Sequence, residues 1–148
     1  MVRKGVILLM GLAVLGLLLT GCGSQRKKES EATEGAAAYQ KIDAAEAKRM
    51  MDAGGVTVVD VRRADEYEDG HVPGAINLPN EDIADQKPEA LPDPEASLIV
   101  YCRSGVRSKQ AADKLVQMGY RHVYDMGGII DWTYDTVTGD EPGAMTAE

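Results

Sequence analysis

The sequence predicts an α/β domain with a mainly parallel central sheet and helices on both of its faces. Short runs rich in valine and isoleucine alternate with stretches of helical periodicity, and glycine or proline separates most of them. Strands that alternate with helices are typical of βαβ units, whose connecting helices cover both faces of a parallel sheet. The length of 148 residues suits one such domain with a short extension.

The first half of the domain is expected to contain two helices and two strands. Asp43 and Glu46 form a D-x-x-E pattern, which is typical of a helix start because the first side chain caps backbone amides of the first turn. Gly54 and Gly55 end that helix. The elements predicted, in order, are a helix after Asp43, a strand over 56–60, a helix over 64–69 and a strand over 75–78.

The second half of the domain is expected to begin with a loop, since residues 86–96 contain three prolines. Apolar residues that recur on one helical face then distinguish a helix from the short apolar runs on either side of it. The elements predicted here are a strand over 97–101, a helix over 108–118 closed by Gly119, a strand over 122–125 and, after a turn at Gly127 and Gly128, a helical segment over 129–134.

Charge and cysteine content exclude several classes of function. The net charge is −8, and binding to nucleic acid requires a basic surface, so we expect no nucleic-acid partner. The two cysteines, Cys22 and Cys102, lie in different parts of the chain, which argues against a disulfide framework. The two histidines, His71 and His122, belong to no cluster with the spacing of metal ligands. Neither a metal nor another cofactor is therefore predicted.

The start of the chain has the pattern of an export signal. Arg3 and Lys4 precede an apolar run over 6–19, which is shorter than the roughly 20 residues that a transmembrane helix needs. The run ends in Leu19-Thr20-Gly21-Cys22, which resembles the lipobox of bacterial lipoproteins. We therefore expect acylation of Cys22, with palmitate among the acyl chains, and an exported protein held on a bacterial membrane that faces the periplasm or the cell exterior.

These patterns divide the chain into three parts. Residues 23–38 are rich in Ser, Glu, Lys, Gly and Ala and contain no apolar cluster, which is typical of a flexible tether. The parts predicted are a signal peptide at 1–21, the lipidated cysteine and tether at 22–38, and a folded domain at 39–148 whose last ten or so residues form a loose tail.

Cys102 is a predicted nucleophile because of the loop that it begins. An apolar strand delivers it to the head of a short loop that opens into a helix, so backbone N–H groups and the positive helix end favour the thiolate. Gly105 allows the loop to close tightly, and Arg103 and Arg107 supply cations for an anionic substrate. The residues predicted to bind the substrate are Arg103, Ser104, Gly105, Val106, Arg107 and Ser108.

Five segments of the chain occur in an order that is typical of one family. They are Asp60-Val61-Arg62, Glu66-Tyr67, residues 70–79 (GHVPGAINLP), residues 100–108 (VYCRSGVRS) and the run from Gly119 to Trp132. Together they resemble the rhodanese domain, a family of single-domain sulfurtransferases, over about residues 39–135. The resemblance implies that Cys102 attacks a sulfur donor, carries the sulfur as a persulfide and passes it to an acceptor. Thiosulfate is the expected donor, and cyanide or a small thiol is the expected acceptor.

The same resemblance implies a structural role for three charged residues near the loop. We expect Asp60, at the end of its strand, to accept N–H bonds from the loop and Arg62 to pair with Glu66, which would brace the fold beside the site. His71 lies in a turn and is expected to have a structural or surface role, since sulfur transfer to a thiolate needs no base.

Protein tyrosine phosphatases are the nearest alternative enzymes, because they also use a cysteine and an arginine in one loop. Their two residues are separated by five others, usually with a histidine before the cysteine. Here four residues separate Cys102 from Arg107, and Tyr101 precedes the cysteine, so the shorter loop favours a sulfur atom over a phosphoryl group. Two further alternatives stay open: a non-enzymatic binding module, and a redox sensor at the cell envelope that uses the same thiol.

Overall fold

The computed structural model describes residues 38–143. In this part of the chain the strands lie in the order β1-β5-β4-β2-β3, and every neighbouring pair is parallel. The predicted α/β fold with a parallel central sheet is therefore confirmed. The elements are β1 (Gln40–Lys41), α1 (Ala44–Ala53), β2 (Val56–Asp60), α2 (Ala64–Asp69), β3 (Ile76–Asn77), β4 (Ser97–Cys102), α3 (Val106–Gln117), β5 (His122–Gly128) and a 3₁₀ turn (Ile129–Asp131).

Two apolar cores lie on opposite faces of the sheet. Successive residues of a strand point to opposite faces, and β4, in the middle of the sheet, is buried on both. Leu98 and Val100 pack against α3 on one face, whereas Ile99 and Tyr101 pack towards α1 and α2 on the other. Helices thus cover both faces, as the sequence predicts. The helical members of the two cores are Ala111, Ala112 and Leu115 on the first face and Ala47, Met51 and Tyr67 on the second.

The predicted helix boundaries hold for α1 and α2 and are displaced for α3. Asp43 caps α1 by accepting the N–H of Glu46 at 2.7 Å, and Gly54 ends the helix with a positive φ of 78°. The third helix begins at Val106 rather than at 108, because Gly105 adopts the left-handed conformation (φ 99°) and already serves as its N-cap. The helix therefore starts inside the loop that follows Cys102.

One prediction near the end of the domain is wrong, and one strand at its start is not predicted. The segment over 129–134 is not a helix beyond the single 3₁₀ turn at Ile129–Asp131, because β5 continues through Gly127 and Gly128, which pair with Tyr101 and Cys102. The sequence also does not predict β1, whose two residues are both exposed and lack any apolar pattern.

The C-terminal segment that we expect to be a loose tail makes backbone hydrogen bonds where the structure describes it. Gly139 donates to Glu68 at 2.9 Å, and Pro142 accepts from Gly74 at 2.6 Å. The predicted signal peptide, the lipidation site at Cys22 and all but the last residue of the tether lie outside the described residues. Within 38–143, no helix combines the length and the apolar character that a membrane crossing requires.

Candidate active site

Cys102 lies at the carboxyl end of β4, at the edge of the sheet where ligands bind in parallel α/β folds. Its residue is 1% exposed, and its backbone pairs with Gly128 of β5. Within residues 38–143, its thiol takes part in no disulfide bond. The strand therefore presents the thiol at the floor of the loop over residues 102–108, called the Cys102 loop below.

The Cys102 loop directs backbone N–H groups at the sulfur. The N–H of Gly105 donates to Sγ of Cys102 at 3.1 Å, and its positive φ allows the tight turn that this bond requires. Burial raises the pKa of the Cys102 thiol, but hydrogen bonds from the backbone N–H groups of Ser108, Gly105 and Ser104 outweigh it. The pKa of Cys102 is consequently lower than that of an ordinary cysteine, which favours the nucleophilic thiolate.

Gly127 and Gly128, the glycine platform, support the Cys102 loop from the neighbouring strand. A Cβ atom at Gly128 would lie 2.9 Å from Cα of Ser104 and would collide with the carbonyl group of Arg103. The carbonyl oxygen of Gly127 lies 3.2 Å from Oγ of Ser108, whose side chain is fully buried. Only glycine permits this close approach of the two backbones.

Arg107, a predicted substrate-binding residue, is already paired in the structure. Its Nη1 and Nη2 donate to Oε2 and Oε1 of Glu66 at 2.6 and 2.8 Å. Mainly because of these bonds, the pKa of Glu66 is lowered to about 2. The bonds to Glu66 raise the pKa of Arg107, and the charge of the Cys102 thiolate adds to this effect.

The expected pair between Arg62 and Glu66 is wrong, because Arg62 instead pairs with Asp60. Nη2 of Arg62 lies 2.6 Å from Oδ2 of Asp60 and donates to the carbonyl oxygen of Gly70 at 2.7 Å. Asp60 accepts the backbone N–H of Arg62 at 2.9 Å rather than an amide of the Cys102 loop. Sequence spacing favours the helical residue Glu66, but Asp60 and Arg62 are both buried at the end of β2, where each neutralises the charge of the other.

His71 has a buried structural role and lies apart from the thiol. Its ring stacks on Tyr67 with a centroid separation of 3.6 Å, and its Nδ1 and Nε2 contact the carbonyl oxygens of Tyr67 and Glu141. Arg103, by contrast, is exposed and forms no ion pair within residues 38–143. Of the two loop arginines, Arg103 is the one whose guanidinium faces solvent without a carboxylate partner.

The sequence prediction misses two residues behind the glycine platform. Asp125 of β5 is buried, accepts the N–H of Gly127 at 2.9 Å and pairs with Lys41 of β1. An open cavity of about 680 Å³ lies beside them, and its lining includes Lys41, Ser104 and both platform glycines but not Cys102. The only signal in the sequence was an acidic residue two positions before a glycine pair.

Among the described residues, no three His, Cys, Asp or Glu side chains are grouped so that they could hold a metal ion.

Comparison with known proteins gives consistent matches. The model of the rhodanese-like domain family matches residues 43–135. Thiosulfate sulfurtransferase PspE of Escherichia coli is 40% identical over 81 residues, which are 55% of this chain and 78% of that protein. A solved structure described as a rhodanese with anions from E. coli is 38% identical and covers 56% of this chain and 98% of its own, with a TM-score of 0.52.

A second group of relatives is longer than this chain. A tRNA uridine(34) hydroxylase of Yersinia pestis is 33% identical over 99 residues, which are 64% of this chain. The match spans only 27% of that protein, so it concerns a minor part of the hydroxylase. The family match, in contrast, includes the Cys102 loop, the glycine platform and both arginine–carboxylate pairs. The predicted resemblance is thereby confirmed, and the chain belongs to the rhodanese-like domain family.

Proposed function

We propose that the protein is a sulfurtransferase that moves sulfane sulfur from thiosulfate, or a similar anionic donor, to a thiophilic acceptor through a persulfide on Cys102. The observation that carries the proposal is the buried Cys102 thiol, which receives the Gly105 N–H at 3.1 Å and has a lowered pKa. The similarity to a relative named thiosulfate sulfurtransferase supports the choice of donor.

In the first step, the Cys102 thiolate attacks the outer sulfur of thiosulfate. A new S–S bond forms at Sγ, the S–S bond of the donor breaks, and sulfite leaves with the electron pair. The enzyme then carries Cys102–S–S⁻. The amides that favour the thiolate are placed to stabilise this anion as well, since a loop of inward-directed N–H groups stabilises negative charge wherever it lies within the loop.

In the second step, the lone pair of an acceptor attacks the outer sulfur of the persulfide. The persulfide S–S bond breaks, and its electron pair returns to Sγ as the thiolate. Cyanide leaves as thiocyanate, and a thiolate acceptor leaves as its own persulfide. No proton transfer and no external oxidant or reductant are needed, so this two-step covalent mechanism requires only the cysteine and its loop.

The two loop arginines would have different roles in binding the donor. Arg103 is exposed and free of ion pairs in the described residues, so it is suited to a first contact with an anion from solvent. Arg107 uses two of its five N–H groups on Glu66, which fixes the plane of the guanidinium and leaves donors for a bound oxyanion.

The proposal is tested by mass spectrometry of the intact protein after incubation with thiosulfate. We expect Cys102 to gain the mass of one sulfur atom, with one sulfite released per protein, and cyanide to remove that sulfur. The variant Cys102→Ser should gain nothing. A folded wild-type protein that stays unmodified with thiosulfate and with other sulfur donors would favour the binding-module or redox-sensor alternative.

We further propose that the protein is exported and anchored to a bacterial membrane through acylated Cys22. The supporting observations are the charged start, the apolar run and the lipobox-like tetrad that ends at Cys22. Radiolabelled palmitate should enter the wild-type protein in a bacterial host but not the variant Cys22→Ala. Equal labelling of both, or of neither in a host that acylates other lipoproteins, would contradict the anchor.

A further inference from the structure

Asp125 is a buried carboxylate whose position the proposed chemistry does not by itself explain. The residue is 1% exposed and lies in β5, one strand away from Cys102. Its Oδ1 accepts the N–H of Gly127 at 2.9 Å, and its Oδ2 lies 2.9 Å from Nζ of Lys41. Burial of a carboxylate is unfavourable unless the group is paired and hydrogen-bonded, so both contacts indicate a specific local requirement.

The requirement is a bulge in β5. Val100 pairs with Asp125, but the next residue of β4, Tyr101, pairs with Gly127, so Met126 is an extra residue in the ladder. Gly127 takes a positive φ of 88° immediately after it. The bond from Gly127 N–H back to the Asp125 side chain closes a turn over the bulge, which is a common use of aspartate in turns.

Gly127, which follows this bulge in β5, contacts the Cys102 loop. A Cβ atom at Gly105 would lie 3.6 Å from Cα of Gly127, and Oγ of Ser108 lies 3.2 Å from the carbonyl oxygen of Gly127. Gly105 and Ser108 are also two of the residues whose N–H groups serve the sulfur. The path from the Asp125 carboxylate to the thiol thus runs through Gly127 and then through the loop.

We propose that Asp125 is a positioning residue, whose carboxylate holds the glycine platform under the Cys102 loop and so keeps the loop amides directed at the sulfur. Lys41 balances the charge of the carboxylate from the edge strand, and its own side chain is 62% exposed. The inference deepens the proposed function because it concerns the same thiol, but it predicts the acidity of Cys102 whether or not sulfur is transferred.

Shape and charge can be separated at this position by substitution. Asp125→Asn keeps an acceptor at Oδ1 for Gly127 and removes the charge. Asp125→Glu keeps the charge but moves the carboxylate out by one methylene, which spoils the short turn. Asp125→Ala removes both. The other charged groups around the thiol, Arg103 and the Arg107–Glu66 pair, stay the same in all three variants.

The experiment measures the rate of alkylation by iodoacetamide against pH in the full-length chain. The rate at Cys102 is followed by mass spectrometry of the peptide that contains it, which separates it from Cys22. We expect Asp125→Glu and Asp125→Ala to raise the thiol pKa by about one unit, so that alkylation below that pKa slows about tenfold, while Asp125→Asn stays within about twofold of the wild type.

A matched control is available on the surface of α3. Lys109 and Asp113 form a pair with the same 2.9 Å separation as Lys41 and Asp125, but the side chain of Asp113 is 45% exposed, whereas that of Asp125 is 2% exposed. Asp113→Ala should leave the alkylation profile unchanged. If the alanine variant of Asp125 does not fold, the Asn and Glu variants decide. An unchanged profile in the Glu variant, or an equal shift in Asn and Glu, would overturn the proposal.

The outcome is distinguishable from failure of the proposed function. A raised thiol pKa in Asp125→Glu supports the positioning role even in a protein that accepts no sulfur from thiosulfate. Conversely, a persulfide that forms normally in the wild type while all Asp125 variants keep the wild-type alkylation profile supports sulfur transfer and refutes this role.

Discussion

Two arginine–carboxylate pairs lie in the region of the Cys102 loop, and they differ in their access to water. The side chains of Asp60 and Arg62 are 0% and 8% exposed, whereas those of Glu66 and Arg107 are 20% and 26% exposed. The two pairs have the same chemistry and nearly the same shortest distance, since each includes a contact of 2.6 Å. Burial is therefore the property that distinguishes them.

The difference determines what each pair can do. If Asp60 or Arg62 lost its partner, the other would be an uncompensated buried charge, so this pair acts as a fixed brace between the end of β2 and the carbonyl oxygen of Gly70. Glu66 and Arg107 keep contact with solvent, so an incoming anion can share the guanidinium at little cost. The difference suits the first pair to stabilising the fold, and it leaves the guanidinium of Arg107 accessible to the anionic donor proposed above.

The largest expected effect is on stability, when the buried pair is broken. Asp60→Asn removes the charge opposite Arg62 with little change of volume, and we expect the free energy of unfolding to fall by about 3–5 kcal/mol. Glu66→Gln, which breaks the partly exposed pair in the same way, should cost less than this, because both of its side chains keep some contact with water. Urea denaturation followed by circular dichroism measures both. Equal losses in the two variants would remove the distinction between the pairs.

The features that depend on residues close together in the chain, such as the Cys102 loop, are predictable from the sequence. Cys102, Gly105 and the loop arginines are contiguous, and a valine- and isoleucine-rich strand before them with a helix after them is enough to place the thiol at the edge of the sheet. Asp43, likewise, caps α1 as its spacing predicts, because a helix cap depends on residues only three apart.

The pairings across the sheet are not predictable in this way. Glu66 and Arg107 are 41 positions apart, and Lys41 and Asp125 are 84 apart, so their contacts depend on the order of the strands. The glycine pair at 127–128 has the composition of a turn, yet it lies in β5, after a bulge whose Gly127 N–H bonds to the side chain of Asp125. Contacts between residues far apart in the sequence therefore decide which side chains pair, where the local sequence is compatible with several pairings.

A second, smaller effect is expected on KM, and it tests whether the charge of Glu66 influences donor binding at Arg107. Glu66→Gln removes a negative charge beside Arg107, so anionic donors should bind more tightly. The electrostatic gain doubles for a doubly charged donor, so we expect KM to fall about fivefold for thiosulfate and about twofold for a singly charged alkyl thiosulfonate. Steady-state assays with both donors measure the two ratios.

Asp65→Asn is the matched control for this experiment. Asp65 lies one residue before Glu66 in α2, but its side chain is 69% exposed and pairs with Arg63. Solvent screens its charge, so neither KM should change beyond about 1.5-fold. If Glu66→Gln changes KM for the two donors by the same factor, Glu66 acts by shaping the site and not by its charge.

The last expected effect is a pH dependence of stability that belongs to the partly exposed pair of Glu66 and Arg107. The pKa of Glu66 is lowered from 4.5 to about 2, first by the hydrogen bonds from Arg107. A carboxyl whose pKa is lower in the folded state contributes stability above its unfolded pKa and loses it as pH falls through the folded value. The wild type should therefore lose stability relative to Glu66→Gln between about pH 4.5 and about pH 2, and the difference should be constant above pH 5. Urea midpoints of both proteins at a series of pH values measure the difference in stability. Every other carboxylate titrates in both proteins and therefore cancels. A difference that stays constant through this pH range would show that the pair does not contribute to the stability of the fold.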